Sequence, residues 1–152
     1  MLDEANLFEL FQIDDAGRLF ISPATNVWDP VHQQGINVII DLERGIDPGI
    51  SEEPGHVLYV YCHIEDDDLP DLDRLHALAL MAASLIRKGQ KVLVHCTMGL
   101  NRSALLAGVI LCHLGYTGAE ATARLRERRP GALYNDTFAV YLEQLEAQGF
   151  RG

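Results

Sequence analysis

The stretch Val92-Leu93-Val94-His95-Cys96-Thr97-Met98-Gly99-Leu100-Asn101-Arg102-Ser103-Ala104-Leu105-Leu106 joins an apolar strand-like run to an apolar helix-like run through one short loop. The run before His95 is short and β-branched, whereas the apolar run from Ala104 to Leu114 is long enough for a helix. The thiol of Cys96 therefore stands where a buried strand ends, and Arg102 and Ser103 stand where a helix begins. Five residues separate Cys96 from Arg102, with Gly99 in the middle. Successive backbone N–H groups in so tight a turn can point inward and form a concave anion site, closed by the positive end of the helix dipole. Arg102 adds a planar, always-charged fork suited to two phosphate oxygens. The same field favours the thiolate of Cys96 over its thiol. A nucleophile on the floor of a phosphate site points to phosphoryl transfer through a cysteinyl-phosphate.

Working outward, the remaining segments alternate between strand and helix patterns. Phe8, Leu10, Phe11 and Ile13, the turn Asp14-Asp15-Ala16-Gly17, and Arg18 to Ile21 predict a hairpin. Asp29-Pro30 opens a short helix that Gly35 ends. Ile36 to Leu42 reads as a buried strand, 44–56 as a loop with three glycines and two prolines, and Val57 to Ile64 as a second strand. Asp71 to Lys88 is a helix whose face carries Leu72, Leu75, Leu78, Ala79, Ala82, Leu85 and Ile86 before Gly89 stops it. Lys91 to His95 forms the strand before the loop, and the helix after it ends at Gly115. Thr117-Gly118-Ala119-Glu120 is a capping box for a helix to about Arg129, and Asn135 caps a last helix to about Gln148, stopped by Gly149. The expected fold is α/β, a single domain over residues 1–152 with a mostly parallel central sheet and helices on both faces. Ligands in such sheets bind at the carboxyl ends of the strands, where Cys96 and the acidic loop after Ile64 both fall.

Composition narrows the function. A chain of 152 residues, 48% apolar, is long enough to bury a proper core as one globular domain. No apolar run reaches the ~18–20 residues that span a bilayer, and Met1-Leu2-Asp3-Glu4 lacks the basic start of a signal peptide. Three cysteines in no paired spacing argue against a disulfide framework and against a zinc site. A cytoplasmic setting is expected, without membrane association. The formal charge of −10 works against nucleic acid as a partner.

The nonapeptide His95 to Ser103 matches the His-Cys-x5-Arg-Ser/Thr signature of the cysteine-based protein tyrosine phosphatase superfamily. From Leu19 to about Leu145 the chain resembles a compact dual-specificity phosphatase. Rhodanese-type sulfurtransferases place fewer residues before the arginine. Low-molecular-weight phosphatases and arsenate reductases carry their loop near the N-terminus, so both are disfavoured. The resemblance makes Cys96 the nucleophile and Arg102, with Thr97, Met98, Gly99, Leu100 and Asn101, the phosphate loop. Ser103 then hydrogen-bonds the thiolate and assists breakdown of the phospho-enzyme, and His95 supports the loop by hydrogen bonding. His95 itself cannot easily act as base for Cys96, because neighbouring strand residues point to opposite faces.

A leaving alkoxide or phenolate needs a proton, so a general acid belongs on a mobile loop beside the nucleophile. Glu65-Asp66-Asp67-Asp68-Leu69-Pro70 follows the second strand. Asp66 lies thirty residues before Cys96, the spacing the family uses for its acid aspartate, with Asp68 and Asp67 as substitutes. Asp71 fits a helix-leading role better. Arg124, Arg126, Arg128 and Arg129 read as a solvated basic face at a helix C-terminus. By resemblance Arg129 also lies near the position from which some relatives contact a second phosphate. Asn135 matches an asparagine of the family's late loop, and equally reads as a cap. Cys62 reads as buried packing, with a redox bond to Cys96 as the alternative on the expectation that their strands are neighbours. Neither cofactor nor metal is called for, since Arg102 and the loop amides supply the charge stabilisation.

The activity these features imply is hydrolysis of phosphotyrosine, and further of phosphoserine and phosphothreonine, in a phosphorylated protein substrate. One alternative with the same chemistry is an RNA 5′-triphosphatase, given Thr97 and Asn101, and another is a phosphatase for inositol phosphates or small phosphometabolites. Thr97, Met98, Leu100 and Asn101 are uncharged, which suits a monophosphate. A phosphate-binding pseudophosphatase is the alternative from a different class.

Overall fold

The computed structural model describes residues 9–25, 27–50 and 55–149. Phe8 of the expected hairpin, residues 51–54 of the expected loop and the N-terminal tetrapeptide lie outside them. Five strands form one sheet: β1 (Phe11–Gln12), β2 (Leu19–Ser22), β3 (Val38–Asp41), β4 (Leu58–Tyr61) and β5 (Val92–His95), in the order β1-β2-β5-β3-β4. Only β1 runs antiparallel, and β2, β5, β3 and β4 are mutually parallel. Among the described residues five helices accompany them: α1 (Asp29–Gln33), α2 (Leu72–Arg87), α3 (Arg102–His113), α4 (Gly118–Arg128) and α5 (Asp136–Glu143). The expected α/β fold with a largely parallel central sheet is observed.

The continuous apolar runs of the central strands follow from burial on both sides. Leu19, Ile21, Val38, Ile40, Val92 and Val94 join the larger core, under α2 to α5. Phe20, Ile39 and Leu93, one residue out of phase, join a smaller core with Trp28, Val31 and Ile36. The two faces are thus covered unequally, with the short α1 and neighbouring loops closing the second. Helix α3 is buried from Ser103 to Cys112, because sheet, α2, α4 and α5 all pack on it. At Gly108 a Cβ atom would lie 2.3 Å from Leu142 Cδ2, so a larger residue there would have to displace the Leu142 side chain of α5.

Three boundaries differ from expectation. The second strand narrows to β4, a half-exposed edge strand. The hairpin keeps only two paired residues in β1, its turn instead held by Asp14, whose carboxylate accepts from the backbone N–H of Arg18 and Leu19. The last helix stops at Glu143 instead of about Gln148. There the chain turns away so that Leu145 O accepts from Gly118 N at 2.8 Å and Gln148 N donates to Cys112 O at 2.8 Å. Those bonds satisfy the free ends of α4 and α3, which continued helix could not do. The capping box of Thr117 and Glu120 is present.

A side-chain chain clasps α2, α3 and α5 away from the phosphate loop. His76 Nδ1 lies 3.0 Å from His113 Nε2, and His76 Nε2 lies 2.7 Å from the Tyr141 hydroxyl. Burial, then the neighbouring His76 and Arg87, hold His113 below its ordinary pKa of 6.5. The unfolded chain therefore takes up this proton at a higher pH than the folded protein. The stabilisation is complete above about pH 6.5 and falls as pH drops below it. Urea midpoints measured from pH 7.5 to 5 should decline, and His113→Ala should flatten that decline. An equal decline in the variant would locate the acid sensitivity elsewhere.

Candidate active site

In register across the sheet, Ser22 pairs with His95, His95 with Asp41, and Asp41 with Tyr61. The parallel strands therefore end at one level, and their following loops meet at a single edge. Cys96 is the first residue past β5 and is buried in the larger core. Its Sγ accepts from the Gly99 backbone N–H at 3.3 Å and lies 3.4 Å from Ser103 Oγ. Asn101 takes the N-cap position of α3 without a side-chain cap, and the first turn carries no acid. The N-terminal amides of α3 are thus left for an anion.

Gly99 carries the sharpest backbone demand of the loop. Its φ is +69°, and a Cβ there would sit 2.7 Å from Ser22 C and Pro23 N, backbone atoms that cannot rotate away. Gly99→Ala should shift the loop and its N–H donor, lowering turnover by about 10²-fold, the cost of a displacement near 1 Å. Steady-state rates on an aryl phosphate check this, and a native rate would show that the loop tolerates the side chain.

Arg102 is oriented from two sides. Its Nη1 donates to Ile64 O at 3.0 Å and its Nη2 to Thr97 Oγ1 at 2.8 Å. Thr97 in turn donates to Glu43 Oε1 at 3.1 Å. Glu43, on the loop after β3, thus buttresses the phosphate loop. Nothing in the sequence marked it, since its contact spans 54 residues. Arg102 also connects the phosphate loop to the residue just before the acidic loop.

Asp66 faces the phosphate loop. Its Oδ2 accepts from Asn101 Nδ2 at 3.0 Å and its Oδ1 from Asn135 Nδ2 at 2.9 Å. Among the described residues, neither the Asp67 nor the Asp68 side chain bonds that loop, and both are exposed. Glu65 is turned aside: His63, and after it Arg44, hold its carboxyl below the usual carboxylate range. Asp71 caps α2 by accepting from Arg74 N, as its helix-leading position suggested. The Asn135 side chain also accepts from Phe138 N as the cap of α5.

His95 departs from the expectation. Its ring does not bond the phosphate loop. Instead Nε2 lies 2.6 Å from Asp47 Oδ2 and 3.7 Å from Asp41 Oδ1, all buried. Asp41 is its register partner on β3, so both side chains leave the sheet on the same face, opposite to Cys96. The Tyr59 hydroxyl donates to Asp41 and accepts from Asp47 N. Burial pushes the Asp41 carboxyl up, against the opposing pull of Tyr59, and burial followed by Asp41 pushes the Tyr59 phenol up. His95 supports the loop indirectly, by fastening the β3–β4 connection beneath it. Donor atoms of Asp41, Glu43, Asp47 and His95 lie within 4.8 Å of one another. The carboxylates are engaged by His95, Tyr59 and Thr97, whereas His95 Nδ1 is buried with no hydrogen-bond partner among the described residues.

The arginines are half-buried or exposed, and each is engaged by a partner. Arg124 and Arg128 bond Asp15, and Arg126 donates to the carbonyls of Ala132 and Leu133. Arg129 reaches the loop itself, donating from Nε to Gly99 O and from Nη2 to Met98 O, both at 3.3 Å, with its guanidinium 4.3 Å from the Phe11 ring centre. Leu133 holds a left-handed φ of 62° while its N–H donates to Leu100 O, so the α4–α5 connection backs the loop as well. The expected adjacency of Cys62 and Cys96 fails. Strand β3 lies between β4 and β5, placing the backbone of the two residues about 10 Å apart by two strand spacings, beyond the reach of a disulfide without backbone movement. All three cysteines are free, and burial pushes the Cys112 thiol up to about 11.

The family model for the dual specificity phosphatase catalytic domain matches residues 19–148. The chain belongs to the dual-specificity phosphatases. The chain is 32% identical over 139 residues to dual specificity protein phosphatase 12 of Mus musculus, a match covering 87% of this chain and 40% of that relative. It is 37% identical over 110 residues to tyrosine-protein phosphatase CDC14 of Candida albicans, covering 72% of this chain and 20% of that relative. The chain thus spans less than half the length of these curated relatives. Its fold is similar to the crystal structure of human DUSP28, at TM-score 0.74 and 24% identity over 89% of this chain and 90% of that one. It is also similar to Tk-PTP in the active form, at TM-score 0.72 and 24% identity over 89% and 96%. Among the described residues, no helix is long and apolar enough to cross a membrane.

Proposed function

We propose that this domain hydrolyses phosphomonoesters of proteins through a cysteinyl-phosphate at Cys96, taking phosphotyrosine and also phosphoserine and phosphothreonine. The observation that carries the reading is the meeting of three groups at one sheet edge. These are Cys96 Sγ under the Gly99 amide, Arg102 on the same loop, and Asp66 joined to that loop through Asn101. In the first step Sγ bonds to phosphorus, the P–O bond to the substrate breaks, and the leaving oxygen takes a proton from Asp66. Arg102 and the loop amides hold the three equatorial oxygens as charge builds on them. In the second step water attacks phosphorus, Asp66 accepts its proton, and the S–P bond breaks. Ser103, 3.4 Å from Sγ, hydrogen-bonds the departing thiolate.

The substrate class rests on the uncharged loop side chains and on the net charge of −10. Both favour a single phosphate on a protein over inositol polyphosphate or RNA. The deciding measurement is a turnover panel of phosphotyrosine, phosphoserine and phosphothreonine peptides, RNA 5′-triphosphate and inositol phosphates, combined with acid quenching to trap the intermediate. Fastest turnover on a phosphopeptide, with phosphate recovered on Cys96, is expected. Preference for RNA 5′-triphosphate or for an inositol phosphate would replace the protein substrate, and binding without turnover of any ester would mark a pseudophosphatase.

A further inference from the structure

We propose that His76 and His113 form a two-histidine site for a nitrogen-preferring divalent transition metal, Zn²⁺ or Cu²⁺, which staples α2 to the end of α3. The site does not depend on the proposed reaction, because His113 closes α3 at the end opposite to Arg102. His76 stands within α2, and both histidines are half-buried. Nδ1 of His76 and Nε2 of His113 face one another across 3.0 Å, with ring centres 5.2 Å apart and planes inclined at 69°. Metal–nitrogen bonds to histidine run about 2.0–2.1 Å. Two such bonds set their nitrogens roughly 2.9 Å apart at a right angle and roughly 3.3 Å apart at the tetrahedral angle. The observed separation falls between these values. A metal therefore needs the two rings to tilt, not the helices to move.

The second nitrogen of His76 already has the partner that a metal-bound histidine uses. Ligating imidazoles donate their other N–H to an oxygen, which fixes both ring and tautomer. His76 Nε2 lies 2.7 Å from the Tyr141 hydroxyl on α5. With its hydrogen on that side, His76 turns the Nδ1 lone pair towards His113, and His113 Nε2 supplies the one hydrogen the two rings share. When a metal enters, that hydrogen transfers to His113 Nδ1. Each ring then offers a lone pair to the metal, no net proton is released, and water completes the coordination. Imidazole nitrogen suits Zn²⁺ and Cu²⁺, whereas Mg²⁺ and Ca²⁺ take oxygen ligands. The His113 backbone is itself held to α2, its carbonyl accepting from Arg87 Nη2 at 2.8 Å. That guanidinium opposes a nearby cation and keeps the affinity modest. The other histidine pair, His32 and His56, stacks ring on ring at 28° and presents faces in place of nitrogens.

The test uses tag-free protein carrying Cys96→Ser, since a thiolate is itself a metal ligand. Zn²⁺, Cu²⁺, Mg²⁺ and Ca²⁺ are titrated singly, by calorimetry and by Tm. One Zn²⁺ per chain is expected, with a Tm that rises with Zn²⁺ concentration, reverses with EDTA and ignores Mg²⁺ and Ca²⁺. Cu²⁺ should bind more tightly than Zn²⁺. His76→Gln and His113→Gln should each abolish saturable Zn²⁺ binding. Tyr141→Phe should weaken it by about 10- to 100-fold, the loss that follows removal of an orienting partner. Nitrogen-15 spectra of the histidine rings give a second reading that does not require the glutamine variants to fold. In them Zn²⁺ should shift His76 Nδ1 and His113 Nε2 together. The proposal is overturned by the absence of saturable Zn²⁺ binding or by binding retained in either glutamine variant. Binding lost instead with Cys62→Ser or Cys112→Ser, or ring shifts at His32 and His56 in place of His76 and His113, would overturn it equally.

Discussion

Cys96→Ser should hydrolyse aryl phosphates and phosphopeptides at least about 10³-fold more slowly than the native protein, while still binding phosphate monoesters. The binding elements survive the change: the loop amides, the open N-terminus of α3 and the Arg102 guanidinium do not depend on the thiol. The nucleophile does not survive it. A serine hydroxyl needs a base to become reactive, and the nearest candidate in sequence, His95, is turned to the opposite face of the sheet and engaged by Asp47. Steady-state kinetics with titration calorimetry of a slowly turned-over phosphopeptide measure both halves. Appreciable turnover by Cys96→Ser would remove the cysteinyl-phosphate from the mechanism, and loss of binding together with turnover would mean that the thiol holds the loop together.

Asp66→Asn should cost about 10²-fold or more on phosphotyrosine and much less on a strongly activated aryl phosphate. The phenolate of tyrosine, with a conjugate-acid pKa near ~10, leaves slowly without a proton, whereas a stabilised phenolate leaves almost as well unaided. The dependence of rate on leaving-group pKa should therefore steepen in the variant. Asp67→Asn and Asp68→Asn make the same change of charge one and two residues away, on exposed side chains that do not bond the phosphate loop. They should follow the native series. If one of them loses more than Asp66→Asn on the poor leaving groups, that residue is the acid. If all three match the native protein, the proton comes from outside this loop.

Most of the local design around Cys96 was legible in the amino-acid sequence. The strand, the tight turn around Gly99 and the helix after it occupy consecutive residues, so spacing alone places Cys96, Arg102 and Ser103 around one tight turn. The caps at Asp71, Thr117 and Asn135 were legible for the same reason, because a cap bonds an amide three residues away. The α/β class followed from apolar runs buried on both faces. Asp66 was reached through a family spacing, and geometry then distinguished it from Asp67 and Asp68, which residue type could not.

What only the tertiary structure decided depends on which strands become neighbours and which loops meet beyond their ends. With β3 between β4 and β5, Cys62 is separated from Cys96, and Asp41 is brought beside His95. No periodicity encodes that order, since any of these apolar strands satisfies the hydrogen bonds of any other. Thr97–Glu43, His95–Asp47, Asn101–Asp66 and Arg129 on the Gly99 carbonyl span from 30 to 54 residues of chain. Each joins side chains whose types are common in surface loops. Their meaning lies in distance, and distance between remote segments is set by the packing of the whole sheet and its helices, not by any short stretch of sequence.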